Sequence, residues 1–264
     1  MTNTEADPVL VEMDGAVCRI TINRPKQRNA LNDRVTSGIA AGFATAQADP
    51  AIRAIVLTGA GDRVFCAGGD LSPQPDGSPF ATDPARPQLQ LTEMFRAFET
   101  CTLPIIARVN GHALGGGFGL VCAADLAVGV EGARFGTPEV GVGLFPMTIL
   151  PYMLQVLPRR KVMELSMRGT PWSAERAAAE GVLNALAPVG ELDRVLDELV
   201  SDVIRQSPTA MRLGKLAVHA IQDMPIHEAQ QYTQLMLPIM AATGDAREGF
   251  RAFQEKRKPD WPNG

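Results

Sequence analysis

Five glycines fall within the nine residues Gly111-His112-Ala113-Leu114-Gly115-Gly116-Gly117-Phe118-Gly119, just where the sequence turns into a run that reads as helix. A glycine inside a helix costs about 1 kcal/mol relative to alanine, so a segment serving only as scaffold has little reason to keep three in a row. The chain needs bare backbone there. Directly upstream, residues 103–109 form a short apolar run opened by Pro104 and rich in β-branched side chains, the pattern of a buried strand. A strand feeding a glycine-rich turn and then a helix leaves unpaired N–H groups at the helix N-terminus. Such a place favours negative charge.

The remaining sequence organises around that unit. Residues 9–13, a turn at Asp14-Gly15 and residues 16–22 read as a hairpin with alternating faces. An amphipathic helix over 31–48, entered through Asn29 or Asn32, precedes a strand at 54–59, giving a βαβ rhythm. Residues 72–87 carry five prolines among glycine, serine and aspartate, which predicts a mobile surface loop. A helix near 88–100 leads back to the strand at 103–109. Further short strands are expected at 126–130, 134–136 and 182–186, and from Pro208 the pattern is helical to about 256. The resulting division is a core over 1–207 and a helical region over 208–264.

Composition excludes several classes of function. Net charge is −4, which offers no electrostatic footprint for nucleic acid. No run approaches the roughly 20 apolar residues of a membrane span. The first seven residues lack the basic and apolar regions of a signal peptide, so the expected compartment is the cytoplasm. Cys18, Cys66, Cys101 and Cys122 are widely spaced without a C-x-x-C pair, which predicts reduced core thiols and no metal site. Dinucleotide and P-loop glycine signatures are absent, as are G-x-S-x-G and H-E-x-x-H. His112 reads as a polar turn residue.

A second glycine cluster, Phe65-Cys66-Ala67-Gly68-Gly69-Asp70-Leu71, follows the strand at 54–59. Two bare-backbone turns, each placed after a parallel strand, can bring two N–H donors to one oxygen atom. Losing one donor of such an oxyanion hole typically raises a barrier by about 3–4 kcal/mol. A third element, Phe135-Gly136-Thr137-Pro138-Glu139, completes the set. Together with Asn23-Arg24-Pro25, Asn29-Ala30-Leu31 and the closing segment 247–257, these motifs resemble the crotonase superfamily, the enoyl-CoA hydratase/isomerase family, from about residue 9 to 261.

The resemblance implies an α/β spiral of ββα units with a C-terminal helical region that trimerises and covers the active site, in homotrimers or hexamers built from two trimers. It implies an acyl-CoA thioester substrate, with coenzyme A part of that substrate and no separate cofactor. The N–H groups of Gly69 and Gly116 are then the oxyanion donors and Glu139 the acid/base. Arg28, Ala30, Ala67, Gly68, Asp70 and Leu71 fall where relatives line the CoA groove. Lys256 falls where relatives place a basic residue near the CoA phosphates.

Efficient hydratases in the family carry a second glutamate three residues beyond the middle glycine of the triplet; here that position is Gly119. Two carboxylates can divide the work of activating water and protonating C2, whereas one can shuttle a proton between two carbons. The expectation is an enoyl-CoA hydratase working with one glutamate, with Δ3,Δ2-enoyl-CoA isomerisation as the alternative and thioester hydrolysis after it. Relatives' hydratases also continue past the proline with glycines, whereas Pro146 is followed by Met147-Thr148-Ile149-Leu150. Bulky apolar side chains there should dry the pocket and raise the pKa of Glu139. Some relatives combine the fold with noncatalytic RNA-binding or scaffold roles; the acidic balance and the lack of a lysine-rich helix argue against that here.

Overall fold

The computed structural model describes residues 7–72 and 89–261, so the proline-rich segment expected to form a loop lies, Ser72 apart, outside the described residues. The chain runs β1 (Val9–Asp14), β2 (Val17–Ile22), α1 (Asp33–Ala48), β3 (Ala54–Gly59), β4 (Val64–Cys66), α2 (Gln90–Thr100), β5 (Ile105–Val109), β6 (His112–Leu114) and α3 (Gly116–Ala123). It continues through β7 (Leu126–Val130), β8 (Arg134–Gly136), α4 (Leu150–Val156), α5 (Arg159–Arg168), β9 (Trp172–Ser173), α6 (Ala174–Ala179), β10 (Ala185–Ala187) and α7 (Leu192–Ile204). Three helices close the chain: α8 (Pro208–Ile221), α9 (Ile226–Ala241) and α10 (Gly244–Gln254).

Two sheets share these strands. The larger has the order β1-β2-β3-β5-β7-β10 and is parallel except for the β1-β2 hairpin, whose turn uses Gly15 at φ +56°. The smaller has the order β4-β6-β8-β9, parallel until β9 joins antiparallel. Each turn of the chain therefore gives one strand to the large sheet and the next to the small one, as β3 then β4, β5 then β6, β7 then β8. This is the expected spiral of ββα units.

Alternation along the central strands explains why they read as unbroken apolar runs. Ile55 and Leu57 point into the main core while Val56 faces the opposite side with Ile106 and Val128, beneath Leu196 of α7. Both faces are covered. In the main core Phe43 of α1 meets Phe98 of α2 edge-on, with ring centroids 4.8 Å apart. All four cysteines are free and buried, as the spacing predicts.

Periodicity gives no sign of β4, β6 or β9, which are three, three and two residues long. His112 is consequently a strand residue and not the expected turn residue; its Nδ1 accepts a hydrogen bond from the Arg134 N–H at 3.1 Å. At the other end of the chain, Lys215 of α8 donates to Asp125 at 2.6 Å and to the Leu103 carbonyl at 2.9 Å, tying that helix to the core. By contrast α9 buries none of its residues, and Leu235 and Leu237 are 70% and 67% exposed. No described helix is long and apolar enough to cross a membrane.

Candidate active site

The parallel pairing of β4 with β6 sets the two glycine turns side by side, because both strands end at the same edge of the small sheet. Two buried asparagines hold the approach to that edge. Asn29 sits at φ +55°, donating to the carbonyls of Ala60 and Val64 and accepting from the Arg24 N–H. Asn110 donates to Gly59 and Gly61 and accepts from the Gly59 N–H. Both side chains complete the hydrogen bonds of backbone that leaves the sheet.

The segment after β4 is strapped from behind. Leu31 N–H donates to the Gly68 carbonyl and Asp70 N–H to the Leu31 carbonyl, each at 2.8 Å, while Ala67 N–H donates to the Arg28 carbonyl at 3.1 Å. Arg24 spans the strap, donating to the Ala30 carbonyl at 2.8 Å and to the Asp70 carboxylate at 2.9 Å. Burial works against ionisation of Asp70, but hydrogen bonds from Ser72 and Arg24 outweigh it and hold the carboxyl below its usual range.

Between the turns the backbones nearly touch. Gly68 lies at φ +98°, and a Cβ there would sit 3.0 Å from the Leu114 carbonyl oxygen and 3.2 Å from the Gly116 nitrogen. A Cβ on Gly116 would lie 3.7 Å from the Gly69 nitrogen, and one on Gly117 only 2.2 Å from the Cys66 carbonyl oxygen. Among the described residues neither the Gly69 nor the Gly116 N–H makes a hydrogen bond. Two free donors thus meet at the N-terminus of α3, where the helix adds positive potential.

Glu139 completes the site from a 3-10 helical turn, Pro138–Val142, which Gly143 closes in the left-handed conformation. Its Oε1 lies 3.0 Å from where a Cβ of Gly115 would be, so the carboxyl rests against bare backbone. Its Oε2 is buried without a hydrogen-bond partner among the described residues. Burial raises its pKa above the usual carboxylate range, more than its own backbone N–H lowers it.

These groups border a cavity of about 390 Å³ whose other walls include Leu71, Leu89, Leu91, Val142, Leu144 and Phe145. Of the residues singled out from the sequence, Gly69, Gly116, Glu139, Ala67, Gly68 and Leu71 line it. Arg28, Ala30 and Asp70 are not on its wall and belong to the strap. Lys256 stands just beyond α10 at φ +53° and does not line the cavity. The described residues hold no group of three or more His, Cys, Asp or Glu side chains able to bind a metal ion.

Position 119 has a packing role that the sequence could not show. A Cβ on Gly119 would lie 2.2 Å from Ile149 Cγ2, 2.8 Å from Ile149 Cβ and 3.1 Å from Phe95 Cζ. Where a second carboxylate would start, the molecule is already full. Ile149 is buried and lines the cavity, in the 3-10 helical turn Met147–Ile149 ahead of α4. Gly119 and the apolar stretch after Pro146, which look like two separate departures in the sequence, form one contact.

A spiral of ββα units with a cleft at the edge of its small sheet defines an enzyme of the crotonase superfamily. The profile of the family "Enoyl-CoA hydratase/isomerase" matches residues 12–264, and the chain belongs to that family. It is 35% identical over 257 residues to carnitinyl-CoA dehydratase of Salmonella heidelberg (strain SL476), covering 94% of this chain and 95% of that protein. It is 32% identical over 260 residues to (E)-benzylidenesuccinyl-CoA hydratase of Thauera aromatica, covering 96% and 98%. Among solved structures, enoyl-CoA hydratase from Mycobacterium tuberculosis H37Rv superposes with a TM-score of 0.85 at 34% identity, covering 97% of this chain and 98% of that one.

Proposed function

We propose that this protein hydrates a 2-enoyl-CoA reversibly through a thioester enolate, with Glu139 as the one carboxyl group that moves protons. The observation that carries the reading is the half-buried Glu139, its Oε2 buried and unpartnered, on the same cavity as the free N–H groups of Gly69 and Gly116. The thioester carbonyl accepts from both N–H groups, so negative charge that develops on its oxygen is stabilised by donors already in place. Water adds at C3, and C2 takes the proton of the neutral Glu139 carboxyl. The proton released by the water returns to the other carboxyl oxygen, leaving Glu139 as it began. A raised pKa suits this cycle, because the group must start protonated. The relatives' names, a dehydratase and a hydratase, support the same class of chemistry.

The packing of Ile149 and Phe95 around Gly119 favours a second reading, Δ3,Δ2 isomerisation, in which Glu139 takes a proton from C4 and returns it to C2. In either reading the acyl group is predominantly apolar, since Glu139 is the only charged side chain among the described residues of the cavity wall. The strap over residues 28–31 and the 67–71 segment form the CoA groove, and Lys256 reaches the CoA phosphates. Residues 208–264 act as the assembly and cover region of a homotrimer or of a hexamer of two trimers, which the exposed apolar side chains of α9 support. Mass analysis of products from 2-enoyl-CoA and 3-enoyl-CoA esters tests the reaction. Hydration adds one water to the 2-enoyl ester; conversion of the 3-enoyl ester without mass change, and no hydration, would establish isomerisation instead.

A further inference from the structure

Hydration by one carboxyl leaves a need unmet: the water must be held at C3 while Glu139 serves C2. Beside Glu139, the described cavity wall carries one other polar side chain, that of Thr148. Thr148 is the middle residue of the turn Met147–Ile149, whose backbone is fixed by the Ile149 N–H and Leu150 N–H donating to the Pro146 carbonyl at 3.2 and 3.1 Å. A threonine in a helical turn commonly returns its hydroxyl to a carbonyl three or four residues back. Thr36, Thr45 and Thr100 do so in this chain, at 3.1, 3.0 and 3.0 Å. The Thr148 hydroxyl makes no hydrogen bond among the described residues. The residue is half-buried and lines the cavity.

We propose that Thr148 holds the attacking water, its hydroxyl hydrogen-bonding the water oxygen or one of its hydrogens so that a lone pair faces C3. This rests on the hydration reading above. The hydroxyl remains a hydroxyl throughout: it exchanges no proton with the substrate, and the proton that water loses goes to Glu139. The same short turn thus removes one polar position and supplies another, because Ile149 fills the space over Gly119 while its neighbour Thr148 lines the cavity.

Two reactions separate this role from a structural one. Hydration of a 2-enoyl-CoA needs the water held; exchange of the C2 proton of a saturated acyl-CoA in D2O needs only the thioester carbonyl bound and Glu139 in place. Thr148→Val keeps the shape and β-branching of the side chain and removes the hydroxyl. It should lower kcat for hydration about 10-fold, the equivalent of one uncharged hydrogen bond, with C2 exchange within about 2-fold of wild type. Thr148→Ser should restore hydration. Hydration at the wild-type rate in Thr148→Val, or equal loss of hydration and exchange, overturns the role of Thr148 and leaves the hydration reading standing. Wild-type protein that exchanges C2 protons yet hydrates none of a panel of 2-enoyl-CoA esters overturns the hydration reading, and the water-holding role with it.

Discussion

Gly119→Ala turns the packing over α3 into a measurement. The added methyl carbon would lie 2.2 Å from Ile149 Cγ2 and 2.8 Å from Ile149 Cβ, against about 3.5–4.0 Å for carbon atoms in contact. Rotating χ1 of Ile149 moves Cγ2 but leaves Cβ where it is, so the turn Met147–Ile149 itself has to retreat. Overpacking of this kind costs about 3 kcal/mol at the upper end of its range. Replacing a helical glycine by alanine returns about 1 kcal/mol. The net expectation is a loss of about 2 kcal/mol, read as a lower urea midpoint at unchanged m value. In an Ile149→Ala background the nearest clash disappears, and the penalty should shrink by about 1 kcal/mol or more, within the range of coupling between touching residues. Stabilisation by Gly119→Ala, the usual result at an uncrowded helix position, would refute the packing argument; an equal penalty in both backgrounds would refute the part played by Ile149.

Further expectations concern the site and the assembly. Gly119→Glu alone should yield less stable protein and no gain in hydration, which soluble yield and a product assay check together, because its side chain starts inside Ile149. Glu139→Gln should lower turnover by about 10²–10⁴ while acyl-CoA affinity, measured by calorimetry, changes only a few-fold. Burial raises the Glu139 pKa in the folded chain above its ordinary 4.5, so the folded state holds this proton more tightly than the unfolded state. Its contribution to stability is fully present below that ordinary value and is lost as pH rises through the raised one. The Tm of Glu139→Gln should therefore gain on wild type across that window. Gly68→Ala should reduce turnover about 10²-fold or more, since residue 68 has φ +98° and a Cβ there presses on the Gly116 nitrogen and the Leu114 carbonyl. Sedimentation should give a mass of three or six chains; a monomer at micromolar concentration would refute the assembly proposed from α9.

Large parts of the fold are legible because they repeat a pattern long enough to see. The strand at Ala54–Gly59 is an unbroken apolar run buried on both faces, the helix at Asp33–Ala48 buries a regular face, and Asn32 marks the start of the helix by accepting from the Val35 N–H. Of the small sheet only β8 is legible, at 134–136; β4, β6 and β9 are too short to display a period and exist only through partners far along the chain. The glycine turns and Glu139 could be found because bare backbone and an isolated carboxyl leave marks in composition and spacing. Ile149 leaves none. Its meaning comes from contact with a glycine thirty positions earlier, and that contact is created by the packing of the turn onto α3. Thr148 is equally silent in sequence, because an unbonded hydroxyl differs from a bonded one only in three dimensions.

The buried thiols give the molecule internal clocks. Burial pushes the Cys66 thiol up to about 12 and the Cys18 thiol to about 11, and raises Cys101 and Cys122 as well. An alkylating reagent at neutral pH therefore meets almost no thiolate until the surrounding structure opens. Cys66 immediately precedes the Ala67-Gly68-Gly69 turn, and Cys122 lies within the helix that begins at Gly116. Their labelling rates report how often the two walls of the cleft part, while Cys18 in β2 reports on the large sheet. A thioester ligand clasped between the two turns should slow the first pair and leave the third nearly unchanged, so two native thiols can time the breathing of the cleft with a third as the control.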